Sequence, residues 1–255
     1  VTLVARKGKV VQHKAYGLQD LDKQTPMTTD TIARVYSMTK PVTGVAMMML
    51  HEQGKWQPAD PIAKHIREFA NLKVYAGEKD GAPVLEAPMH PPTMGELMSH
   101  TAGFTYGLFG NTPVDQIYRK NNPLEAPSLQ GMIDRLSTMP LLYQPGTRWV
   151  YSVSVDIQGY LVEKLSGQTF PEFLRTKLFE PLGMVDTAFF VPAAKLSRAA
   201  TIYAYDKTKA GLVPAPGGVT VPSLPGVASG GGGLSLPAPG DFPVVRRQLR
   251  FTGGD

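Results

Sequence analysis

Apolar positions recur at helical spacing in the stretch that follows Ser37: Val42, Val45, Ala46, Met49 and Leu50 fall at i, i+3, i+4, i+7 and i+8. This pattern predicts a helix beginning near Ser37 with one buried stripe, Pro41 accommodated in its first turn and Gly54 placed to end it. Further helices are predicted from the Thr93-x-x-Glu96 capping box through Met98, from Leu129 to Met139, from Ser154-Val155-Asp156 to Leu165, and from Phe170 to Phe179. Asp60 as N-cap with Pro61 behind it predicts one short helix more. Residues 71–92 read as loop, and residues 107–128 as an irregular excursion around a short helical candidate.

The β-prone runs lie towards the two ends. Thr2 to Val4 and Lys9 to His13 flank Arg6-Lys7-Gly8 as a hairpin, and Thr31 to Tyr36 is a brief strand leading into the first helix. Late in the chain, Ala188 to Val191 and Thr201 to Tyr205 read as strands, and Asp241 to Phe251 as a final helix. The glycine run from Gly230 to Gly233 has two readings, a flexible linker or a backbone that must pass close to something else. Strands at both ends with helices between predict an α+β plan: residues 1–60 with 170–255 form a sheet lobe, residues 61–169 a helical lobe, and the site falls at their seam.

Composition narrows the function classes. With 255 residues and 42% hydrophobic positions the chain can bury a sizeable core. There is no run of eighteen apolar residues, hence no transmembrane span. Val1 rather than Met heads the chain, which leaves secretion undecided. Zero cysteine excludes disulfides and thiolate metal sites, and the five His residues lack metal-ligand spacing, so no metal or other cofactor is expected. The net charge of +5 is spread thinly, with no basic block, and gives no nucleic-acid footprint.

The candidate chemistry is Ser37-x-x-Lys40. Three residues apart on a helix, the two side chains share a face, which sets the lysine amine beside the serine hydroxyl; a serine needs such a base to act as a nucleophile. Alone the motif says little, since about one Ser-x-x-Lys is expected by chance in a chain of this length. Other segments agree with it in order: Leu97-Met98-Ser99-His100-Thr101-Ala102-Gly103, Gln144-Pro145-Gly146-Thr147, Tyr151-Ser152, Pro181-Leu182-Gly183-Met184 and Gly230 to Leu234. Together they resemble the serine β-lactamase and penicillin-binding-protein superfamily, and within it the class C β-lactamase-like carboxylesterases called family VIII esterases.

The resemblance implies a β-lactamase/transpeptidase-like fold, with an antiparallel sheet built from both ends of the chain. It implies Ser37 as acylated nucleophile, Lys40 as the base beside it, Tyr151 as second acid/base, and the Ser37 backbone N–H as one oxyanion-hole donor. Two departures stand out. Val153 occupies the place where β-lactamases and D,D-peptidases carry the Asn of Tyr-x-Asn, and Tyr-Ser-x-Ser with Asp156 beyond looks like the esterase branch. The family's third motif, beyond the glycine run, is absent before Asp255, so later strands of the sheet are expected to be missing. The leading expectation is a serine carboxylesterase acting on small-molecule or short-acyl esters. The alternatives are a β-lactamase or D,D-peptidase, and a truncated or non-catalytic binding homologue; the residues leave the oligomeric state open.

Overall fold

The chain opens with a hairpin of β1 (Thr2–Arg6) and β2 (Lys9–Lys14), antiparallel with Thr2 opposite Lys14 and a bulge between Val4 and Ala5. Two short strands, β3 (Leu18–Asp20) and β4 (Thr25–Pro26), and then β5 (Ile32–Arg34) precede a 3-10 turn at Tyr36–Met38 and helix α1 (Thr39–Glu52). A hairpin of β6 (Val74–Lys79) and β7 (Ala82–Glu86) is followed by α2 (Met94–Met98), α3 (Pro113–Lys120), α4 (Leu129–Ser137), α5 (Ser154–Ser166) and α6 (Phe170–Leu174). The last strands among the described residues are β8 (Tyr203–Asp206), β9 (Gly211–Pro214) and β10 (Ser235–Pro237). This is a computed structural model, and it describes residues 1–7, 9–80, 82–215 and 224–237.

Two compact units divide the chain. The first holds Val1–Tyr36, Leu174–Pro225 and Gly233–Asp255; the second holds Ser37–Phe173 and Gly226–Gly232. In the first unit the expected pairing of the chain's two ends is present: β10 runs antiparallel to β5, with Ser235 opposite Arg34 and Pro237 opposite Ile32. A bridge from Ala188 to Ser235 and a parallel one from Ile32 to Ala199 extend this pairing, and Ile32, Val191 and Ala199 pack as a small buried cluster. The expected strand at 188–191 is thereby reduced to a single bridge. The expected helix at 241–251 lies outside the described residues.

The second unit is organised on α5, in which Ser154 through Val162 are all buried. A helix enclosed on every side must be packed by others, and α1, α2 and α4 pack on it. The buried face of α1 is Val42, Thr43, Ala46, Met47 and Leu50, a stripe turned from the predicted one, with Val45 exposed and Met49 half-buried. The turn has a polar cause. Thr43 is wholly buried because its hydroxyl donates to the Gly230 carbonyl at 2.8 Å, a bond that apolar periodicity cannot register.

Three further local expectations are corrected. Residues 71–92 are not all loop: β6 and β7 pair with Tyr75 opposite Leu85. Asp80-Gly81 is a hairpin turn signal between β-formers, and Asp80 adopts a φ of +53°, while Pro83 sits in a two-stranded ribbon where its missing N–H is tolerated. Asp60 does not cap a helix by side-chain bond; it takes the Gln57 N–H at 2.9 Å and the Lys64 ammonium at 2.8 Å beside a 3-10 turn at Ile62–Lys64. Helix α6 passes into a π-helical turn at Arg175–Phe179. The capping box of Thr93 and Glu96 forms as its spacing requires, and Gly167 closes α5 in the left-handed region at φ +74°. No helix among the described residues is long and apolar enough to cross a membrane.

Candidate active site

Ser37 stands in the 3-10 turn ahead of α1, directly after Tyr36, whose φ of +45° is a strained conformation for an aromatic residue. The turn leaves the Ser37 side chain exposed, while Lys40, in the first turn of α1, is half-buried. Lys40 Nζ lies 3.4 Å from Ser37 Oγ. The third expected residue comes from far along the chain: Tyr151 Oη is 2.6 Å from Ser37 Oγ, a hydroxyl pair through which a proton can pass. The Lys40 ammonium also lies 4.4 Å from the centre of the Tyr151 ring.

Tyr151 is held by the segment around His100. The Val150 N–H donates to the His100 carbonyl at 2.9 Å, and the Ser152 N–H donates to His100 Nδ1 at 3.3 Å. Because Nδ1 accepts that bond, the ring proton of neutral His100 sits on Nε2. The imidazole lies beside the rings of Trp149 and Tyr151, with centroids at 6.0 and 5.3 Å. Burial, and secondarily the charge on Lys40, push its pKa down to about 4, so His100 is neutral near pH 7.

Behind Lys40 is a polar cluster that sequence reasoning did not assemble. Lys40 Nζ donates to the Gly231 carbonyl at 2.7 Å and to Tyr106 Oη at 3.3 Å. The Tyr106 hydroxyl donates to Asp156 Oδ2 at 2.9 Å; Asp156 Oδ1 accepts the Gly231 N–H at 3.0 Å and the Ser229 hydroxyl. Asp156 is wholly buried in the first turn of α5, where the helix N-terminus favours negative charge. Burial raises its pKa in spite of the three hydrogen bonds. Tyr106 is raised by burial and by Asp156, so it stays a phenol. Tyr151 moves the other way: burial acts to raise it, but its hydrogen bonds with Lys40 and Ser37 outweigh that and leave it below the ordinary tyrosine value.

At Gly230 and Gly231 the glycine run is a close approach. A β-carbon on Gly230 would overlap the Val155 carbonyl, and one on Gly231 would overlap the Tyr106 hydroxyl and the Asp156 carboxylate. Val153 is buried, and its side chain offers no hydrogen bond.

With this geometry in hand, the relatives decide the family: residues 1–238 match the model of the Beta-lactamase family. The chain belongs to that family. It is 34% identical to Protein Rv1367c of Mycobacterium tuberculosis over 98% of its own length and 61% of the relative's, and 30% identical to Esterase EstB of Burkholderia gladioli over 74% of its length and 46% of the relative's. Among solved structures it is similar to EstCE1, a hydrolase with promiscuous acyltransferase activity, at a TM-score of 0.76 and 27% identity, covering 97% of this chain and 65% of that one. The chain thus spans under two thirds of each of these proteins. The β-lactamase/transpeptidase-like fold and the family VIII esterase resemblance read from the motifs agree with these likenesses.

Tyr106, Ser229 and the role of Asp156 went unnoticed in the sequence. Tyr106 lies in an irregular stretch with no period, and Asp156 reads as one more acidic residue in a first helical turn. The one available signal was the glycine run, whose close-approach reading pointed to a crowded neighbour.

Proposed function

We propose that the protein is a serine carboxylesterase that hydrolyses small-molecule or short-acyl esters through an acyl-enzyme on Ser37. The observation that carries this reading is the 2.6 Å pair of Ser37 Oγ and Tyr151 Oη with the Lys40 ammonium beside both. Lys40 lowers the Tyr151 pKa and donates to Tyr106 and the Gly231 carbonyl; the group that takes the serine proton is therefore Tyr151, as the phenolate that this ammonium stabilises. In the reaction, Ser37 Oγ bonds to the ester carbonyl carbon as its proton passes to the Tyr151 phenolate, which becomes the phenol, with Lys40 sharing the task through its charge. The tetrahedral adduct, its oxyanion taking the Ser37 backbone N–H, collapses; the bond to the alcohol oxygen breaks and Tyr151 returns the proton to the leaving alkoxide. Water then attacks the acyl carbon, gives its proton to Tyr151, and the acid departs as Ser37 is reprotonated.

The buried Val153 favours an ester over a β-lactam or peptide, since no amide at that place can hold the ligand's acylamino group. The test compares p-nitrophenyl butyrate with nitrocefin, alongside labelling by a fluorophosphonate probe. Butyrate turnover with the label on Ser37, lost in Ser37→Ala, supports the reading. Faster relative turnover of nitrocefin would favour the β-lactamase alternative, and an unlabelled, inactive protein the binding homologue.

A further inference from the structure

Tyr151 borders a cleft of about 710 Å³, a size suited to a small organic group. Its walls include Phe109, Leu142, Tyr143, Trp149 and Tyr151. Phe109 and Trp149 are 74% and 64% exposed, unusual for rings of this size. Both nonetheless stand against Tyr151: Phe109 meets it edge-on with centroids 5.6 Å apart, and Trp149 lies 6.1 Å away at 33°.

The exposed Phe109 is not on a slack loop. Beneath it the Asp115 carboxylate takes the Thr105 hydroxyl at 2.9 Å and both the N–H and hydroxyl of Thr112, at 3.0 and 2.8 Å. Arg119 donates to the carbonyls of Gly107 and Gly110 and to the Asn111 side chain. A tip tied down at both ends by hydrogen bonds, yet carrying its phenyl ring to solvent, is built to present that ring. Arg148, on the wall, lies over the Tyr143 ring at 4.5 Å, so the guanidinium extends the flat surface.

We infer that this cleft receives the alcohol portion of the ester and selects a flat apolar alcohol of the size of a bicyclic aromatic. The inference rests on the esterase reading above: Tyr151 Oη is the atom that hands a proton to the leaving oxygen, so the alcohol emerges at Tyr151, and the ring of that residue continues as the cleft wall. An aromatic alcohol would then sit against Phe109 and Trp149 at the offset and edge-on geometries such rings prefer.

The test keeps leaving-group chemistry nearly constant. Rates for 2-naphthylmethyl acetate and ethyl acetate are compared by pH-stat in the wild type, Phe109→Ala, Trp149→Ala and Trp149→Phe, with p-nitrophenyl acetate and hexanoate as the acyl-side pair. Binding of 2-naphthylmethanol to the Ser37→Ala protein, and to Ser37→Ala combined with each cleft variant, is measured by calorimetry. Both alanine variants are expected to lower the naphthylmethyl-to-ethyl ratio of kcat/KM by about threefold to tenfold, through KM, as loss of an aromatic contact does. Trp149→Phe should recover most of the ratio, and the alanine changes should weaken 2-naphthylmethanol binding similarly. An unchanged alcohol ratio, a shift in the acyl-length ratio instead, or no binding of 2-naphthylmethanol in a protein that hydrolyses esters would overturn the inference alone. Binding that depends on Phe109 and Trp149 in a protein that cleaves no ester would overturn the esterase reading and leave the aromatic preference of the cleft standing.

Discussion

Lys40 donates to the Gly231 carbonyl at 2.7 Å, a closer bond than the 3.4 Å it makes to Ser37. Gly231 is gripped from the other side as well, because its N–H donates to the buried Asp156. The ammonium is thus positioned by a backbone that exists only where glycine stands. Gly231→Ala should displace Tyr106 or Asp156, both tied by hydrogen bonds, and so move Lys40. The expected result is a stability loss on the order of 1–3 kcal/mol, as for overpacking in a filled interior, with kcat reduced more than KM is raised. Urea denaturation together with p-nitrophenyl butyrate kinetics checks it; a fully active Gly231→Ala protein would mean that Lys40 needs no such anchor.

The lowered Tyr151 pKa carries a prediction about its sign and cause. Lys40 supplies the hydrogen bond that leads the lowering, so removing it should let burial prevail and raise the phenol towards or above the ordinary value of about 10. Tyrosine labelled with ¹³C at Cζ, with the resonance assigned through Tyr151→Phe, reports this directly. The wild-type signal should titrate below that of free tyrosine and move upward in Lys40→Gln. A resonance that titrates identically in both proteins would separate Lys40 from the tyrosine.

What the sequence made legible follows physical lines. Caps and periodicities are local, so the box of Thr93 and Glu96, the Gly167 stop and the position of α1 could be read within a few residues of chain. The juxtaposition of Ser37 with Tyr151 is not local, and only the ordered motifs of a family resemblance anticipated it. Two kinds of feature escaped. One is the buried polar contact, such as Thr43 on Gly230 or Tyr106 on Asp156, whose partners are chosen by the tertiary fold. The other is the short hairpin of β6 and β7, where prolines and glycines outweighed the Asp80-Gly81 turn signal in the sequence.

His100 ties stability to pH. Its native pKa of about 4 lies below the ordinary value of about 6.5, so between these values the unfolded chain binds a proton that the folded one does not. Stability from this residue is therefore present above the unfolded value and drains away as the pH falls through the window towards 4. Asparagine tolerates the positive φ of +61° at this position and does not titrate. In His100→Asn the slope of unfolding free energy between pH 6.5 and 4 should flatten, whatever the offset at neutral pH. Urea midpoints collected across that range test it, and an unaltered slope would assign the acid sensitivity to other groups.

Asp156 separates a positioning role from a purely structural one. Asp156→Ala strands three donors, Tyr106, Ser229 and the Gly231 N–H, and removes a buried carboxylate that Lys40 acts on electrostatically; breaking a buried charged network of this kind typically costs about 3–5 kcal/mol. Asp156→Asn retains the shape, and its amide oxygen can still accept from Ser229 and Gly231, so it should lose less. Its second effect is electrostatic. The negative charge of Asp156 acts to raise the Tyr151 pKa, so neutralising it should carry the rising limb of the kcat/KM profile to lower pH. A change in packing alone would lower the rate at every pH without moving the limb. The Asn variant is therefore expected to show a reduced plateau reached at lower pH than in the wild type, and a plateau reduced with its limb unmoved would reduce Asp156 to scaffolding for Tyr106 and Gly231.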